Sequence, residues 1–220
     1  MVAVSGARKA LVGDLASIEQ TRALAEQANA AGPFQAVIHN AGVFRPSEPR
    51  RETVDGLDDV FAINALAPYL LTALIQGPQR LIYLSSGFHR IGDPDTSDLQ
   101  WRHRRWNGSQ AYANSKLFIA ALAFAVARLW PNVLSNIVDP GVVPTKMGGP
   151  SAPGDLEQGA ETQVWLAVSN ERPALVSGRY FYHKQMRVAN PAASDLAVQN
   201  RFLDACERLT GTKLASALGK

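Results

Sequence analysis

Short apolar runs alternate with longer helical patterns along this chain, and this alternation constrains the fold more than any single residue does. Apolar runs bounded by turn residues predict strands at residues 35–39, 80–85, 133–138 and 177–183. Periodic patterns predict helices at residues 17–31, 53–76, 109–129, 159–168 and 196–209. A further run, residues 10–12, is interpreted as a strand that ends at Asp14. Strands and helices in this order predict a doubly wound α/β fold, a parallel sheet with helices on both faces.

Composition and charge exclude several classes of protein. The net charge is +3, and the one dense basic run, residues 102–105, lies in a polar stretch. We interpret this run as a solvated loop; the alternative is a nucleic-acid surface. The single cysteine, Cys206, excludes an internal disulfide and a zinc cluster. No run approaches the ~20 apolar residues of a membrane span, and residues 1–12 lack a signal-peptide pattern. We therefore expect a cytoplasmic protein with no metal, nucleic-acid or membrane partner.

The predicted helix at residues 109–129 is apolar almost all round, which exceeds what one core-facing stripe needs. We expect its second face to meet another subunit, in a homodimer or homotetramer. The alternative is a central helix covered on both sides by its own chain.

Tyr112 and Lys116 stand four residues apart in this helix, so both side chains project from one face. A fixed cation stabilises a phenolate and is expected to lower the pKa of the phenol from about 10, toward the pH at which it can transfer a proton. Tyr180 and Lys184 have the same spacing, but a strand spreads four residues over roughly 13 Å. We interpret the second pair as structural and the first as a candidate acid–base pair.

Two further polar residues support the interpretation of Tyr112 and Lys116 as an acid–base pair. Ser86 follows a predicted strand, where its hydroxyl could hydrogen-bond a substrate oxygen beside Tyr112; an ordinary strand end is the alternative. Asn64 lies inside an apolar helical pattern, where an unsatisfied amide is costly. We expect Asn64 to orient a water or a backbone group near Lys116, and a solvent-facing amide is the alternative.

These residues belong to a longer series of motifs, which runs from Asp14 to about Gly178. In chain order the motifs are Asn40-Ala41-Gly42, Asn64, Ser86, Tyr112-x-x-x-Lys116 and Asp139-Pro140-Gly141-x-Val143-x-Thr145. The series resembles the short-chain dehydrogenase/reductase family. The long segment between Ser86 and Tyr112 is similar to that of retinol-dehydrogenase-type and related bacterial oxidoreductases.

The resemblance implies an NAD(P)-dependent oxidoreductase that interconverts an alcohol and a carbonyl by hydride transfer. It implies Tyr112 as general acid/base, Lys116 as the cation that lowers its pKa and holds the nicotinamide ribose, Ser86 as the group that orients the substrate oxygen, and Asn64 as support for a proton relay. It implies cofactor contacts from Asp14, Leu15, Asn40, Ala41, Gly42, Tyr112, Lys116, Pro140, Gly141, Val143 and Thr145. Two small departures are His39, where the family often has Asn, and Asp139 before Pro140.

The largest departure is at the amino end. The family begins with a strand and a Gly-x-x-x-Gly-x-Gly turn that meets the cofactor pyrophosphate, whereas residues 5–7 only echo the opening of that turn. We expect residues 1–220 to form a single Rossmann-like domain, N-terminally truncated and lacking its first strands. Residues 10–12 could pair beside residues 35–39, a partner subunit could cover the gap, or the chain could fold poorly. The choice between NAD and NADP depends on the second strand and is unreadable here.

Two functions stay open. The first is the oxidoreductase, with an apolar small-molecule substrate suggested by Trp101, Trp106 and Met147 and by the two segments, residues 88–107 and 146–157, that are expected to shape the pocket. The second is a non-catalytic remnant of the family that serves as an interaction or oligomerisation module.

Overall fold

The computed structural model describes residues 6–215, and its centre is a five-stranded sheet. The strands are β1 (Ala36–His39), β2 (Arg80–Leu84), β3 (Leu134–Asp139), β4 (Arg179–Tyr182) and β5 (Gln185–Arg187). They lie side by side in chain order; β1 to β4 are parallel, and β5 pairs with β4 in the antiparallel sense. The four predicted strands after residue 34 are confirmed, whereas β5 is an addition to the prediction.

Helices cover the sheet. They are α1 (Ile18–Ala31), α2 (Asp59–Phe61), α3 (Ala67–Leu74), α4 (Gly108–Leu129), α5 (Leu156–Val168), α6 (Pro191–Ser194) and α7 (Leu196–Thr210), with 3₁₀ turns at Gly87–Ile91 and Arg172–Ala174. A π-helical turn, Ala62–Leu66, joins α2 to α3. The predicted helix at residues 53–76 therefore begins later, at Asp59, where the Asp58 side chain caps it, and it contains an irregularity that periodicity does not reveal. The parallel sheet between helices confirms the doubly wound α/β prediction.

The prediction of a strand at residues 10–12 is wrong. Val12 is 83% exposed, and its carbonyl accepts a hydrogen bond from the Gln27 side chain of α1. Asp14 consequently lies in the turn that enters α1, where its carbonyl accepts from Ser17 N–H, and not at a strand end. Within residues 6–215 no strand flanks the outer side of β1, so pairing of residues 10–12 with β1 is excluded. The predictions made for residues 1–5 lie outside the described part of the chain.

Helix α4 is the centre of the larger core, and the prediction that its second face meets another subunit is wrong. The face away from the sheet packs against α6 and α7 of the same chain, with Phe118 stacked on Phe202 at 5.1 Å between ring centroids. By length and apolar composition α4 is long enough to span a membrane, contrary to the prediction that no run approaches such a length. However, 78% of the apolar window of this helix is buried within the protein. The chain's own carboxyl-terminal helices account for the excess apolar surface.

Candidate active site

The carboxyl ends of the parallel strands bring the predicted motifs to one edge of the sheet. Residues 40–42 follow β1, Ser86 follows β2 by two residues, and Pro140 and Gly141 follow β3. Ligands of such sheets bind at this edge. Helix α4 passes beside the edge and carries both Tyr112 and Lys116.

Asn64 locks the segment after β1 to the helix layer. Its side chain is 1% exposed, its Oδ1 accepts from Val43 N–H at 2.8 Å, and its Nδ2 donates to the Val43 carbonyl at 2.9 Å and to Ser115 Oγ at 3.0 Å. The solvent-facing alternative is therefore wrong, and the expectation that it orients a backbone group is confirmed. Asn64 lies in the π-helical turn, a distortion that recurs at functional sites because it redirects a side chain.

Lys116 is a buried ammonium at the centre of the site. Its side chain is almost fully buried, its Nζ donates to the Leu84 carbonyl at 2.9 Å, and it lies 5.5 Å from the Tyr112 ring centroid. Burial lowers the pKa of Lys116 to about 8, against the opposing effect of the Asp139 charge. A Cβ on Gly42 would lie 3.4 Å from Lys116 Nζ and 3.3 Å from Asn64 Oδ1, so a larger residue here would crowd both side chains.

Tyr112 lies against Ser86, as the hypothesis requires. The Ser86 hydroxyl is near enough to Tyr112 to lower its pKa, and the Tyr112 hydroxyl donates to Met147 Sδ at 3.8 Å. Burial raises the pKa of Tyr112, the hydrogen bond with Ser86 lowers it, and the charge of Asp139 raises it further. The expected lowering of this pKa is therefore wrong for the structure at hand, because desolvation dominates and the Lys116 ammonium faces the ring.

Aromatic side chains enclose the phenol. Phe44 and Phe88 lie 4.6 Å and 5.6 Å from the Tyr112 ring centroid and 5.7 Å from each other. Phe88 is 39% exposed and faces outward. Phe44 was not predicted as a site residue, although it follows the Asn-Ala-Gly motif by two positions. Phe44, Phe88 and Met147 form an apolar rim around the reactive hydroxyl.

The two tryptophans suggested for the pocket belong to the same apolar cluster as Tyr112 and Phe44, and they also have partners in the long loop. Trp101 is buried, with the Arg104 guanidinium 4.0 Å from its ring centroid and Trp106 packed edge-on at 5.4 Å. Trp106 donates from its indole N–H to the Glu48 carbonyl. Within the basic run, Arg104 pairs with Asp93 at 3.2 Å, while Arg102 and Arg105 are exposed, which agrees with a solvated loop. Both tryptophans therefore stabilise the long loop beneath Tyr112.

The turn after β3 is held by Asp139. Its Oδ1 accepts from Gly141 N–H at 2.9 Å, and its Oδ2 accepts from the Tyr180 hydroxyl at 3.1 Å. Gly141 has φ +78°, which favours glycine. Beyond it, Thr145 N–H donates to the Val143 carbonyl at 2.7 Å, so the segment turns back at once. Tyr180 thus has a buried partner near the site, whereas Lys184, in the turn after β4, pairs with Glu161.

The predicted cofactor residues fall into two groups. Gly42 lies against Lys116 and Asn64, and Gly141 follows β3 at the same edge of the sheet, so backbone without side chains stands beside the buried ammonium, which fits the nicotinamide and ribose half of NAD(P). Asp14 is exposed and accepts from Ala16 N–H in its own turn, and Leu15 packs toward α3. Within residues 6–215 no strand leads into a glycine-rich turn and a helix before β1, so the described residues supply no counterpart of the pyrophosphate turn.

His39, one of the two departures from the family pattern, is not a group of the site. His39 is buried, stacks on Tyr83 at 4.7 Å, and has its pKa lowered to about 4 by burial. It is a core residue beneath the strand end. No group of three or more His, Cys, Asp or Glu side chains suited to a metal ion occurs among residues 6–215.

Comparison with curated proteins gives relatives that align over most of this chain. An uncharacterized oxidoreductase of Emericella nidulans is 40% identical over 213 residues, which cover 95% of this chain and 81% of that protein. A short-chain dehydrogenase of Gibberella zeae is 39% identical over 216 residues, covering 96% and 82%. Retinol dehydrogenase 13 of Homo sapiens is 32% identical over 230 residues, covering 92% and 69%. A scan against protein-family models gives no match.

Solved structures share the fold. An uncharacterized protein of Mycobacterium paratuberculosis has a TM-score of 0.77 at 23% identity, with 92% of this chain and 75% of that chain covered. A short-chain dehydrogenase of Burkholderia cenocepacia, solved with NADP, has a TM-score of 0.63 at 20% identity, covering 82% and 77%. The sequence identity and coverage of the curated relatives, together with the motifs gathered at one sheet edge, show that the chain belongs to the short-chain dehydrogenase/reductase family.

Proposed function

We propose that this protein is an NAD(P)-dependent oxidoreductase that interconverts an alcohol and a carbonyl compound with Tyr112 as general acid/base. The observation that carries the proposal is the convergence of Ser86, Tyr112 and Lys116, from two elements distant in sequence, with Asn64 fixing the backbone beside them. Ser86 and Tyr112 together can hydrogen-bond a single substrate oxygen.

The chain's own residues would handle the proton. When bound, the nicotinamide cofactor supplies the hydride in reduction and accepts it in oxidation. In reduction, Tyr112 donates its hydroxyl proton to the substrate oxygen as a C–H and an O–H bond form and the C=O π bond breaks; oxidation reverses the transfer. Ser86 holds the same oxygen, and the Lys116 ammonium stabilises the phenolate that remains. Asn64 keeps the segment after β1 in place beside Lys116.

Support for the cofactor comes from both the site and the relatives. Gly42 and Gly141 present backbone without side chains at the sheet edge, Lys116 lies against Gly42, and the Burkholderia cenocepacia enzyme of this fold was solved with NADP. We propose that Asn40, Ala41, Pro140, Val143 and Thr145 line the same edge against the cofactor. NAD and NADP both remain candidates.

An apolar substrate fits the rim of Phe44, Phe88 and Met147. The Met147 sulfur now accepts the Tyr112 hydrogen bond, and a thioether is a weak acceptor. A carbonyl oxygen is the stronger acceptor and would take its place, with the hydrophobic part of the substrate against the two phenylalanine rings.

A second candidate function is that of a non-catalytic interaction module. The outer edge of β1 favours it, because no described strand covers that edge and Ile38 is 36% exposed there. An open edge is a template for pairing with another chain. The expected homodimer or homotetramer loses its argument, because the α4 face from which it was inferred is covered within the chain. A cytoplasmic location is a further proposal that rests on the sequence alone.

Cofactor titration followed by turnover separates the two functions. NADH and NADPH are added separately to the purified protein and the nicotinamide fluorescence is followed, then apolar ketones and aldehydes are assayed by loss of absorbance at the nicotinamide band. We expect binding of at least one cofactor and measurable turnover. Binding of neither cofactor, with the protein folded, would support the interaction module instead.

The variant Tyr112→Phe tests the assigned chemistry. We expect turnover to fall by about 10²-fold or more, because general acid catalysis contributes on the order of 10² to 10⁴. The matched control is Tyr69→Phe, which removes a phenol hydroxyl bound to the Thr212 carbonyl far from the site and should leave turnover intact. Full activity in Tyr112→Phe, with an unchanged circular dichroism spectrum, would contradict the assignment.

A further inference from the structure

A buried histidine holds the turn that follows Ser86. His89 lies fully buried in the 3₁₀ turn Gly87–Ile91, and it makes two contacts with the carbonyl oxygen of Ser86. The backbone N–H of His89 donates to this oxygen at 3.0 Å, and the ring Nδ1 lies 2.6 Å from it. One residue thus occupies both lone pairs of the carbonyl, which fixes the orientation of the peptide group after Ser86.

Asn190 binds the opposite side of the ring and decides its tautomer. The backbone N–H of Asn190 donates to His89 Nε2 at 3.2 Å. Because a backbone N–H only donates and a carbonyl only accepts, the ring proton must be on Nδ1, which donates to the Ser86 carbonyl. Burial lowers the pKa of His89, which favours the neutral ring that this arrangement requires.

The same asparagine ties the turn to the carboxyl-terminal helices, although it lies 101 residues beyond His89. Asn190 Nδ2 donates to the carbonyls of His89 and Arg90 at 3.1 Å and 3.2 Å. Its Oδ1 caps α6 by accepting from Ala192 N–H at 2.9 Å. From β4, Tyr180 packs edge-on against the His89 ring at 4.8 Å between centroids. Two distant segments therefore hold the ring in place.

The direction of the Ser86 side chain depends on this turn. Ser86 is the cap of the turn, and its Oγ accepts from Phe88 N–H at 3.3 Å. On the strand side, the preceding residue Ser85 is anchored by its own hydrogen bonds to β3 and α4. The His89 ring anchors the other side, so the backbone of Ser86 is fixed at both ends.

We propose that His89 is a positioning residue for Ser86: its Nδ1–H, held in place by Asn190, fixes the turn that aims the Ser86 hydroxyl at the substrate oxygen. A small displacement of a group that binds the reacting oxygen lowers turnover strongly. The effect on turnover rests on the proposed function, whereas the fixing of Ser86 by His89 does not.

Two substitutions separate the roles of the two ring nitrogens. In His89→Asn the amide nitrogen takes the place of Nδ1 and still donates to the Ser86 carbonyl, but nothing accepts from Asn190 N–H. In His89→Gln the amide oxygen takes the place of Nε2 and accepts from Asn190 N–H, but nothing donates at the Nδ1 position. Both variants lose the ring that packs against Tyr180, so each is the packing control of the other.

Turnover of the two variants should differ. We expect kcat to fall by about tenfold or more in His89→Gln and to stay within about threefold of the wild type in His89→Asn, with smaller changes in KM. Equal losses in the two variants, or the larger loss in His89→Asn, would overturn the proposal.

A double-mutant cycle with Ser86→Ala tests whether the effect passes through the Ser86 hydroxyl. If it does, His89→Gln should lower kcat about tenfold in the wild type but less than about twofold in Ser86→Ala. A loss by the same factor in both backgrounds would indicate a general structural role of His89 and contradict the proposal.

Hydrogen exchange gives a readout that needs no turnover. Phe88 is exposed and its N–H donates to Ser86 Oγ, so the exchange rate of this amide, followed by NMR, reports the placement of the Ser86 hydroxyl. We expect exchange about tenfold faster in His89→Gln than in the wild type, and a rate closer to the wild type in His89→Asn. Equal rates in all three proteins would overturn the proposal. The expected rates in a protein that reduces no carbonyl compound would leave the role of His89 standing and refute the proposed function.

Asn190→Asp supplies the test if neither His89 variant folds. It keeps the backbone N–H that faces His89 Nε2 and the oxygen that caps α6, and it removes the two hydrogen bonds from Nδ2 to the turn. We expect faster exchange of Phe88 N–H and a lower kcat than in the wild type. If both values are unchanged, the link from Asn190 to Ser86 does not exist and the proposal fails.

Discussion

At the scale of single residues, the site contains a buried charge, the ammonium of Lys116. Lys116 lies in the core of α4 with one backbone acceptor, Leu84, and its ammonium form loses hydration there. The pKa of about 8 means that the folded protein releases this proton well before the unfolded chain does. The functional cation is therefore held at a cost to stability, as is common at active sites.

Because burial of the ammonium destabilises the folded protein, we expect Lys116→Met to raise the free energy of unfolding by an amount that depends on pH. Because the folded pKa lies below that of the unfolded chain, the penalty is fully present below about pH 8 and disappears as the pH rises toward 10.5. Relative to the wild type, Lys116→Met should gain roughly 3 kcal/mol more in the free energy of unfolding at pH 7 than at pH 10.5. Urea unfolding of both proteins across this range measures the difference, and a difference that stays constant with pH would contradict it.

At the scale of elements, the entry to the α2–π turn–α3 helix contains a second buried charge. Asp58 caps α2 by accepting from Phe61 N–H at 2.9 Å, is 1% exposed, and its Oδ2 has no hydrogen-bond partner among the described residues. Burial raises the pKa of Asp58 to about 7, with Asp59 adding to the rise and the Phe61 hydrogen bond opposing it. The helix that presents Asn64 is thus started by a cap whose hydrogen bond favours the carboxylate, whereas its burial favours the protonated acid.

Two substitutions separate the cap from the charge. The folded pKa of Asp58 lies above that of the unfolded chain, so the stability it contributes is present below about pH 4 and is lost as the pH rises through 7. Asp58→Asn keeps the cap without the charge, and between pH 5 and pH 8 its advantage over the wild type should grow by roughly 2–3 kcal/mol. Asp58→Ala should be about 1 kcal/mol less stable than Asp58→Asn at both pH values, since it loses the cap. Thermal unfolding at pH 5 and pH 8 compares the stability of the three proteins. An equal change in stability with pH for the wild type and Asp58→Asn would contradict a buried charge at Asp58.

At the scale of the whole molecule, the carboxyl-terminal helices complete a core that begins some hundred residues earlier. Phe202 of α7 is fully buried, stacks on Phe118 of α4, and meets Phe61 of α2 edge-on at 6.5 Å between centroids. One side chain therefore joins three helices, and the helix that carries Tyr112 and Lys116 depends on this contact for its position.

Truncation of that side chain should destabilise the entire domain. Phe202→Ala is expected to lower the free energy of unfolding by about 3–5 kcal/mol, because it leaves a cavity between three helices. Leu196→Ala, on the same helix but 56% exposed, is the control and should change stability by less than about 0.5 kcal/mol. Urea denaturation at one pH compares them, and similar midpoints for the two variants would mean that α7 is not part of the cooperative core.

Local patterns in the sequence predicted the strands and helices and identified the motif residues. The apolar runs between turn residues located β1 to β4, and helical spacing placed Tyr112 and Lys116 on one face of α4. The strand ends then put residues 40–42, Ser86 and Gly141 at a common edge, since parallel strands end on the same side. Each of these depends on residues close together in the chain or on a general rule of sheet topology.

Tertiary structure decided the rest, because distant segments determine burial and charge environment. The sequence could not reveal that α6 and α7 cover α4, that residues 10–12 lie outside the sheet, or that burial raises the pKa of Tyr112 although Lys116 is near its ring. Nor could it predict the contact between Asp139 and Tyr180, two residues 41 positions apart that meet only when β3 and β4 pair. Spacing along the chain thus determined which chemical groups the site contains, and packing determined their protonation, because desolvation depends on every element that surrounds them.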